Sequence, residues 1–117
     1  METVEMVVYF IDSVNQVIER RVIDVPSDMR KLIGGYIELA YSYPNGDVLY
    51  VDEEGLLKNN PTGFLFAYRQ DQPLVGNGVV CGKELEGNFP EGFITLEPET
   101  KLEKLRKEVK FFRVLGQ

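Results

Sequence analysis

GGYIELAYSYPNGDVLYVDEEG, residues 34–55, is the stretch whose reading decides the fold. Two runs rich in aromatic and β-branched residues flank Asn45-Gly46. That dipeptide is the strongest short hairpin signal, because both residues tolerate the positive φ a tight turn needs. The pattern predicts antiparallel strands over residues 36–43 and 48–52. A two-residue Asn45-Gly46 loop sets Tyr43 opposite Val48, Tyr41 opposite Tyr50, Leu39 opposite Asp52 and Glu38 opposite Glu53. Cross-strand partners share a face. One face then carries Ile37, Leu39, Tyr41, Tyr43, Val48 and Tyr50 and is expected to be the core side. The other carries Tyr36, Glu38, Ala40, Ser42, Leu49 and Val51.

Upstream, residues 4–11 (VEMVVYFI) and 16–25 (QVIERRVIDV) read as a second hairpin, turned by Asp12-Ser13-Val14-Asn15. PSDMRKLIGG then predicts a short helix started by Pro26 or Ser27. Met29, Leu32 and Ile33 fall on one face of it, and Gly34-Gly35 closes it through a left-handed cap. Downstream, residues 59–73 are ambiguous. Asn60 suits a helix cap with Pro61 in the first turn, and Gly63 opposes it. Residues 74–82 (LVGNGVVCG) read as a glycine-marked strand and 93–96 as a short one. From Pro98 the apolar residues Leu102, Leu105, Val109 and Phe112 recur at helical spacing. The expectation is a C-terminal helix over about 98–113, lying on the sheet with Lys101, Lys104, Lys107 and Glu108 toward water. The fold class expected is α+β in one domain, residues 1–117: a mainly antiparallel sheet over about 4–96, one short helix after the second strand, and the C-terminal helix.

The predicted register sets two like charges, Glu38 and Glu53, face to face, at a cost of a few tenths of a kcal/mol or more. Three arrangements relieve it. The ladder ends at Asp52, with Asp-Glu-Glu-Gly as a type I turn whose Gly55 takes positive φ. A basic side chain sits between the acids. Or a cationic or hydroxyl-rich ligand does. The sequence leaves these open.

Much chemistry is excluded. The chain has no histidine and one cysteine, Cys81, so triad-type nucleophile systems, most zinc sites and an internal disulfide are ruled out. Neither a calcium loop nor a phosphate loop occurs. Gly76-Asn77-Gly78 suits a bulge or close backbone approach, or an anion nest. Cys81, between Val80 and Gly82, reads as a buried structural thiol. Glu38 with Asp52 or Glu53 is the one carboxylate pair suited to acid–base work, and no substrate cleft accompanies it in the sequence. A non-enzyme without cofactor or metal is expected. Tyr36, Tyr41, Tyr43, Tyr50 and Tyr68 are expected to gather around the central hairpin, as core packing or as a contact surface.

With 117 residues, 44% apolar and 11% aromatic, the chain has the means for a hydrophobic core. It contains no apolar run long enough to span a membrane. Met-Glu-Thr at the start lacks the basic opening of a signal peptide, so a cytoplasmic location in a bacterial cell is expected. The net charge is −6. Residues 1–96 hold 15 acids and 7 bases, and residues 97–117 hold 4 acids and 6 bases. An acidic body disfavours direct nucleic-acid binding, which needs clustered cations.

GGYIE (34–38), VDEEGLLKNNP (51–61) and LVGNGVV (74–80), with the hairpin between the first two, resemble a small family carried by bacteriophages and plasmids, a domain of unknown function. The likeness spans about residues 5–100. In the family pattern an asparagine follows a proline-rich stretch after the DEEG turn, and Asn59-Asn60-Pro61 stands near that place in a different order. The resemblance implies the strand–turn reading of DEEG and a mobile-element origin, and brings no catalytic residue. Small acidic proteins of such elements often inhibit a host system. The expected function is therefore a non-enzymatic binding protein that antagonises a host defence system by binding a host protein. The alternatives are a sponge for a small nucleotide-type signalling molecule, or a structural module of the element. In each case the contact is expected at Tyr36 (stacking), at Glu38, Asp52, Glu53 and Glu54 (hydrogen-bond acceptance), and at Asn59, Asn60 and Arg69 (amide or guanidinium anchoring). No membrane partner is expected, and a homo-oligomer is left open.

Overall fold

The computed structural model describes residues 4–25, 27–55, 61–85, 94–95 and 97–115. The elements begin with β1 (Val4–Asp12), β2 (Val17–Val25), α1 (Ser27–Ile33), β3 (Ile37–Ser42), β4 (Val48–Asp52) and β5 (Thr62–Phe66). They continue with β6 (Arg69–Val75), β7 (Gly78–Cys81), β8 (Glu84–Leu85), β9 (Ile94–Thr95), α2 (Leu102–Glu108) and β10 (Val109–Arg113). A five-stranded antiparallel sheet has the order β2-β1-β7-β4-β3, a three-stranded one β10-β5-β6, and β8 pairs with β9. The protein is thus α+β and mainly antiparallel sheet, with two short helices among the described residues.

Along β1 successive side chains enter two different cores. Met6, Val8 and Phe10 join Ile23, Val79 and Cys81 under Met29 and Ile33 of α1. Tyr9 and Ile11 join Leu49, Val51 and Val80, facing Phe64, Phe66 and Leu74 of the small sheet and Leu105 of α2. The large sheet is therefore covered on both faces, which explains the near-continuous apolar run of β1. Helix α1 is capped as its sequence predicts: Gly34 has φ 92° and its N–H donates to Arg30 O at 2.7 Å.

The central hairpin departs from the expected register. Its loop is longer than the Asn45-Gly46 dipeptide. Gly46 N–H donates to Tyr43 O at 3.0 Å, Tyr43 N–H donates to Asp47 O at 2.7 Å, and Gly46 has φ 99°. This is the type I turn followed by a left-handed residue, and Pro44, with its locked φ, suits the second position of such a turn. A second irregularity, between Leu39 and Tyr41, moves the register again, giving Leu39↔Tyr50, Glu38↔Val51 and Ile37↔Asp52. The single core-side face expected for the hairpin is corrected accordingly. Leu49, Val51, Ala40 and Tyr43 lie in the core toward the small sheet, with Tyr41 packed against it. Ile37, Val48 and Tyr50 pack against the core under α1.

Two further expectations fail, and one ambiguity closes. Within residues 59–73, ambiguous from the sequence, Thr62–Phe66 is a strand of the small sheet and a second, Arg69–Val75, begins; the suggested cap, Asn60, lies outside the described residues. Thr62, Phe64 and Phe66 point inward with Leu65 exposed, an alternation that the unusual glycine obscures. Residues 74–82 are not one strand: Gly76, at φ 90°, turns the chain between β6 and β7. The helix from Pro98 is Leu102–Glu108, and the chain then runs directly into β10, pairing Val109↔Phe66 and Phe111↔Phe64. Val-Lys-Phe-Phe-Arg is rich in strand formers, and pairing with β5 satisfies a backbone edge that a helix would leave open. Leu105 does bury on the sheets, but Glu108 is buried rather than facing water.

Candidate functional site

Five of the residues singled out from the sequence, Tyr36, Glu38, Asp52, Glu53 and Glu54, lie between the end of α1 and the turn after β4. As the chain leaves Gly34, Tyr36 stands 63% exposed, with the Arg30 guanidinium over its ring at 5.4 Å from the centroid. Tyr36 O accepts a hydrogen bond from Glu53 N–H at 2.8 Å, so the start of β3 and the turn after β4 are joined through backbone. Asp52 is buried. Its Oδ1 accepts from Glu54 N–H at 2.9 Å, and its O accepts from Gly55 N–H at 3.1 Å. The Asp-Glu-Glu-Gly stretch is thus a tight turn organised by Asp52, with Glu53 and Glu54 exposed on it.

Gly55 departs from expectation. It does not have the positive φ found at Gly34, Gly46 and Gly76. A Cβ there would lie 2.6 Å from Val75 O. Glycine is required by the close approach of β6, which moors the turn to the small sheet.

Glu38 is exposed and stands opposite Val51, not Glu53, so the predicted like-charge pair does not form. Arg69, on β6, reaches across to the large sheet. Its Nη1 donates to Ala40 O at 2.7 Å, and its Nε and Nη2 donate to the Asp71 carboxylate at 2.9 and 3.2 Å. The Asp71 hydrogen bonds, and more weakly the charge of Glu38, hold the guanidinium even more firmly protonated than usual. The same pairing with Arg69 holds the Asp71 carboxyl below the ordinary carboxylate range. Asn59 and Asn60 lie outside the described residues. The structure therefore brings Tyr36, Glu38, Glu53, Glu54 and Arg69 around β3, with Asp52 absorbed into the turn beneath them.

β3 is the outer strand of the large sheet. Antiparallel pairing turns the backbone groups of alternate residues toward and away from the neighbour. Because Tyr36 O faces Glu53 N–H, Glu38 also faces β4, and the backbone groups of Ile37 and Leu39 point outward. Leu39 is 51% exposed.

The expected gathering of five tyrosines is only partly found. Tyr41, Tyr43 and Tyr68 meet with Phe66, Tyr41 and Tyr68 stacked at 5.0 Å, but Tyr50 packs on the α1 side and Tyr36 stands apart. At the centre of the cluster is a residue that the helical reading turned toward water, Glu108. Tyr43 Oη donates to its Oε1 at 2.9 Å, Tyr68 Oη donates to its Oε2 at 2.7 Å, and Lys104 Nζ lies 3.2 Å from Oε2. Burial, and then the Glu108 hydrogen bond, push the Tyr43 hydroxyl pKa far up. The Glu108 hydrogen bond raises Tyr68 as well. Neither phenol is a candidate phenolate nucleophile. The carboxylate fastens the hairpin loop, the β5–β6 turn and α2 to one another. The Lys104–Glu108 spacing of four was its one trace in the sequence.

Elsewhere, Gln16, Val17, Ile18, Arg106, Val109 and Phe111 line a cleft of about 300 Å³, where Arg106 Nη2 donates to Ile18 O at 3.2 Å. None of the residues chosen from the sequence lines it. The amide of Asn77, in the Gly76-Asn77-Gly78 turn, is used internally: its Oδ1 accepts from Ser13 N–H at 2.9 Å and its Nδ2 donates to Leu32 O at 3.2 Å. Among the described residues no group of three or more His, Cys, Asp or Glu side chains is placed to hold a metal ion, and no helix is long and apolar enough to cross a membrane. Cys81 is fully buried.

No curated protein and no solved structure matches the chain. A family model does, over residues 6–109, nearly the whole of the two sheets and both helices. By that match the chain belongs to the family described as Domain of unknown function (DUF3846).

Proposed function

We propose that this chain is a non-enzymatic binding protein of phage or plasmid origin that antagonises a host defence system by occupying a host protein. The observation that carries the reading is the exposure, around one strand edge, of Tyr36, Leu39, Glu38, Glu53 and Glu54. A half-fixed tyrosine offers large contact area at low entropy cost. Exposed carboxylates on a chain of net charge −6 favour a basic partner, through faster encounter and selectivity. Arg69 and Asp52 support the contact by holding β3 and the turn in place. The buried carboxylates support binding over catalysis, since Glu108 and Asp52 are committed to hydrogen bonds within the fold.

Sequestration of a small nucleotide-type molecule is the second reading. The cleft beside Arg106 favours it, because a guanidinium and an aromatic ring, those of Arg106 and Phe111, among its lining suit an anionic, partly flat ligand. Its volume stands at the lower end for a ligand site. Affinity capture from a bacterial lysate, followed by native mass spectrometry, separates the two. A stoichiometric host protein lost on Tyr36→Ala supports the first reading. A co-purifying small molecule lost on Arg106→Ala supports the second. Catalytic turnover abolished by Glu38→Gln or Asp52→Asn would overturn both.

A further inference from the structure

Exposed strand edges offer unpaired backbone groups, and proteins normally blunt them with proline, lysine, arginine or bulges. Three of the outer strands here are blunted. β6 carries Pro73 and the Arg69–Asp71 pair. β10 carries Lys110 and Arg113. β2 carries Arg20 and Arg21, and its Ile18 O is taken by Arg106. β3, Ile-Glu-Leu-Ala-Tyr-Ser, has neither proline nor a basic residue. Among the described residues, its protection is the irregularity after Leu39 and the Arg69 guanidinium on Ala40 O, both at its far half. The near half, Ile37 to Leu39, presents outward backbone groups with nothing paired to them among the described residues.

We propose that this half-strand is a β-addition site, and that its occupant is an extended segment of another protein in which basic and apolar side chains alternate. The inference rests on the protein-binding reading above and names the chemistry of the partner. Side chains directly opposite across a ladder share a face and interact. Glu38 lies on the face of Val51, and Leu39 on the face of Tyr50. An added strand therefore sets one residue against a carboxylate and the next against an exposed leucine. Glu53 and Glu54, on the turn joined to Tyr36, extend the acidic side. Among the described residues the cations nearby are Arg30, over the Tyr36 ring, and Arg69, paired with Asp71 and more weakly influenced by the charge of Glu38. A second copy of this chain is the wrong occupant, because edge-to-edge pairing brings these acids toward their own images. Main-chain pairing supplies affinity in this mode of recognition, and the alternating side chains supply selectivity.

The test uses the whole chain and a synthetic peptide of about six residues alternating Lys and Val, read by fluorescence anisotropy and by amide chemical shifts. The alternating peptide is expected to bind and to shift the Ile37 and Leu39 amides. A peptide of the same composition with the lysines in one block, or one alternating Glu and Val, is expected to bind at least about tenfold more weakly. Glu38→Lys is expected to lose about tenfold, and Leu39→Pro to abolish binding by removing an outward donor at a place where an edge strand tolerates proline. Val22→Lys, on β2, should leave binding unchanged. Equal binding of the blocked peptide, indifference to Glu38→Lys, or shifts confined to β2 or the Arg106 cleft would overturn the proposal. So would a wild-type homodimer that Leu39→Pro dissociates. Should Leu39→Pro unfold the chain, Glu38→Lys and the wild-type amide shifts decide alone. A host protein captured equally by wild type and Leu39→Pro overturns the edge and spares the protein-binding reading. A wild type that captures no host protein overturns that reading, and the peptide measurements still decide the edge.

Discussion

Two parts of this molecule are built from the same materials and do opposite things with them. Around Glu108, a carboxylate and two tyrosines with a lysine close on one another: the acid is 8% exposed and accepts from Tyr43 and Tyr68 while pairing with Lys104. Around Glu38, carboxylates and a tyrosine stand open: Tyr36, Glu38, Glu53 and Glu54 all face solvent. Composition does not distinguish the two regions. What does is whether each polar group is paired with another among the described residues. A buried acid that lost its donors would be costly, so the first region is committed to the fold. The second leaves its carboxylates and much of the Tyr36 surface exposed to solvent.

That contrast is broken most severely by Glu108→Ala. It leaves the Tyr43 hydroxyl unsatisfied inside the protein and frees α2 from the hairpin loop. A loss of about 3 kcal/mol is expected, seen as a lower urea midpoint with unchanged m-value. Glu108→Gln, which keeps an acceptor, should cost less. Next comes Gly55→Ala, at about 2 kcal/mol by the same measurement, because the added Cβ runs into the carbonyl of Val75 and the backbone of β6 must give way.

How much of this was legible in the sequence follows from the kind of signal each region carries. α1, its Gly34 cap and the first four strands were readable, because their patterns are local: apolar spacing, a glycine, a turn. The register of the central hairpin was not. Pro44 beside Asn45-Gly46 selects a longer loop than the dipeptide alone suggests, and the irregularity at Ala40 leaves no mark in the sequence. β5, β6 and β10 were missed because they stabilise one another across long separations, Val109 with Phe66 and Phe64 with Leu74. In isolation, Leu102, Leu105, Val109 and Phe112 fit a helix as well as anything. Once β10 is a strand, Glu108 stands at the junction and turns inward. The acidic turn was one of three arrangements the sequence left open, and Asp52 organises it by satisfying the turn's backbone locally.

A smaller effect sharpens the comparison through pH. Tyr43 holds its proton more tightly folded than unfolded, chiefly through burial and then through Glu108. Such a group contributes stability that is fully present below its unfolded pKa of ~10 and is lost as pH rises beyond it. Tyr68 and Lys104 are displaced in the same direction, each first through its hydrogen bond to Glu108. One proton retained by the folded state alone changes stability by at most ~1.4 kcal/mol per pH unit. Between pH 10 and 11 a fall of about 1 kcal/mol is therefore expected. Tyr43→Phe should flatten that slope while lowering stability at neutral pH.

The least effect on the fold belongs to Glu53→Gln, and for that reason it bears most directly on function. Glu53 contributes its backbone N–H to Tyr36 O, and the exposed side chain has no part in that bond. Removing the charge should change the stability read from the urea midpoint by less than about 0.5 kcal/mol, as for surface positions generally. A gain larger than that would mean that Glu53 is held against its neighbours in an unfavourable field, as evolution tolerates where charge serves a contact. No gain, together with undiminished capture of a basic partner, would mean that the side chain serves neither fold nor binding. In that event the acidic contribution at this edge falls to Glu38 and Glu54, and Glu38→Gln in the same capture measurement tells whether the open region works through charge or through the bare backbone of β3.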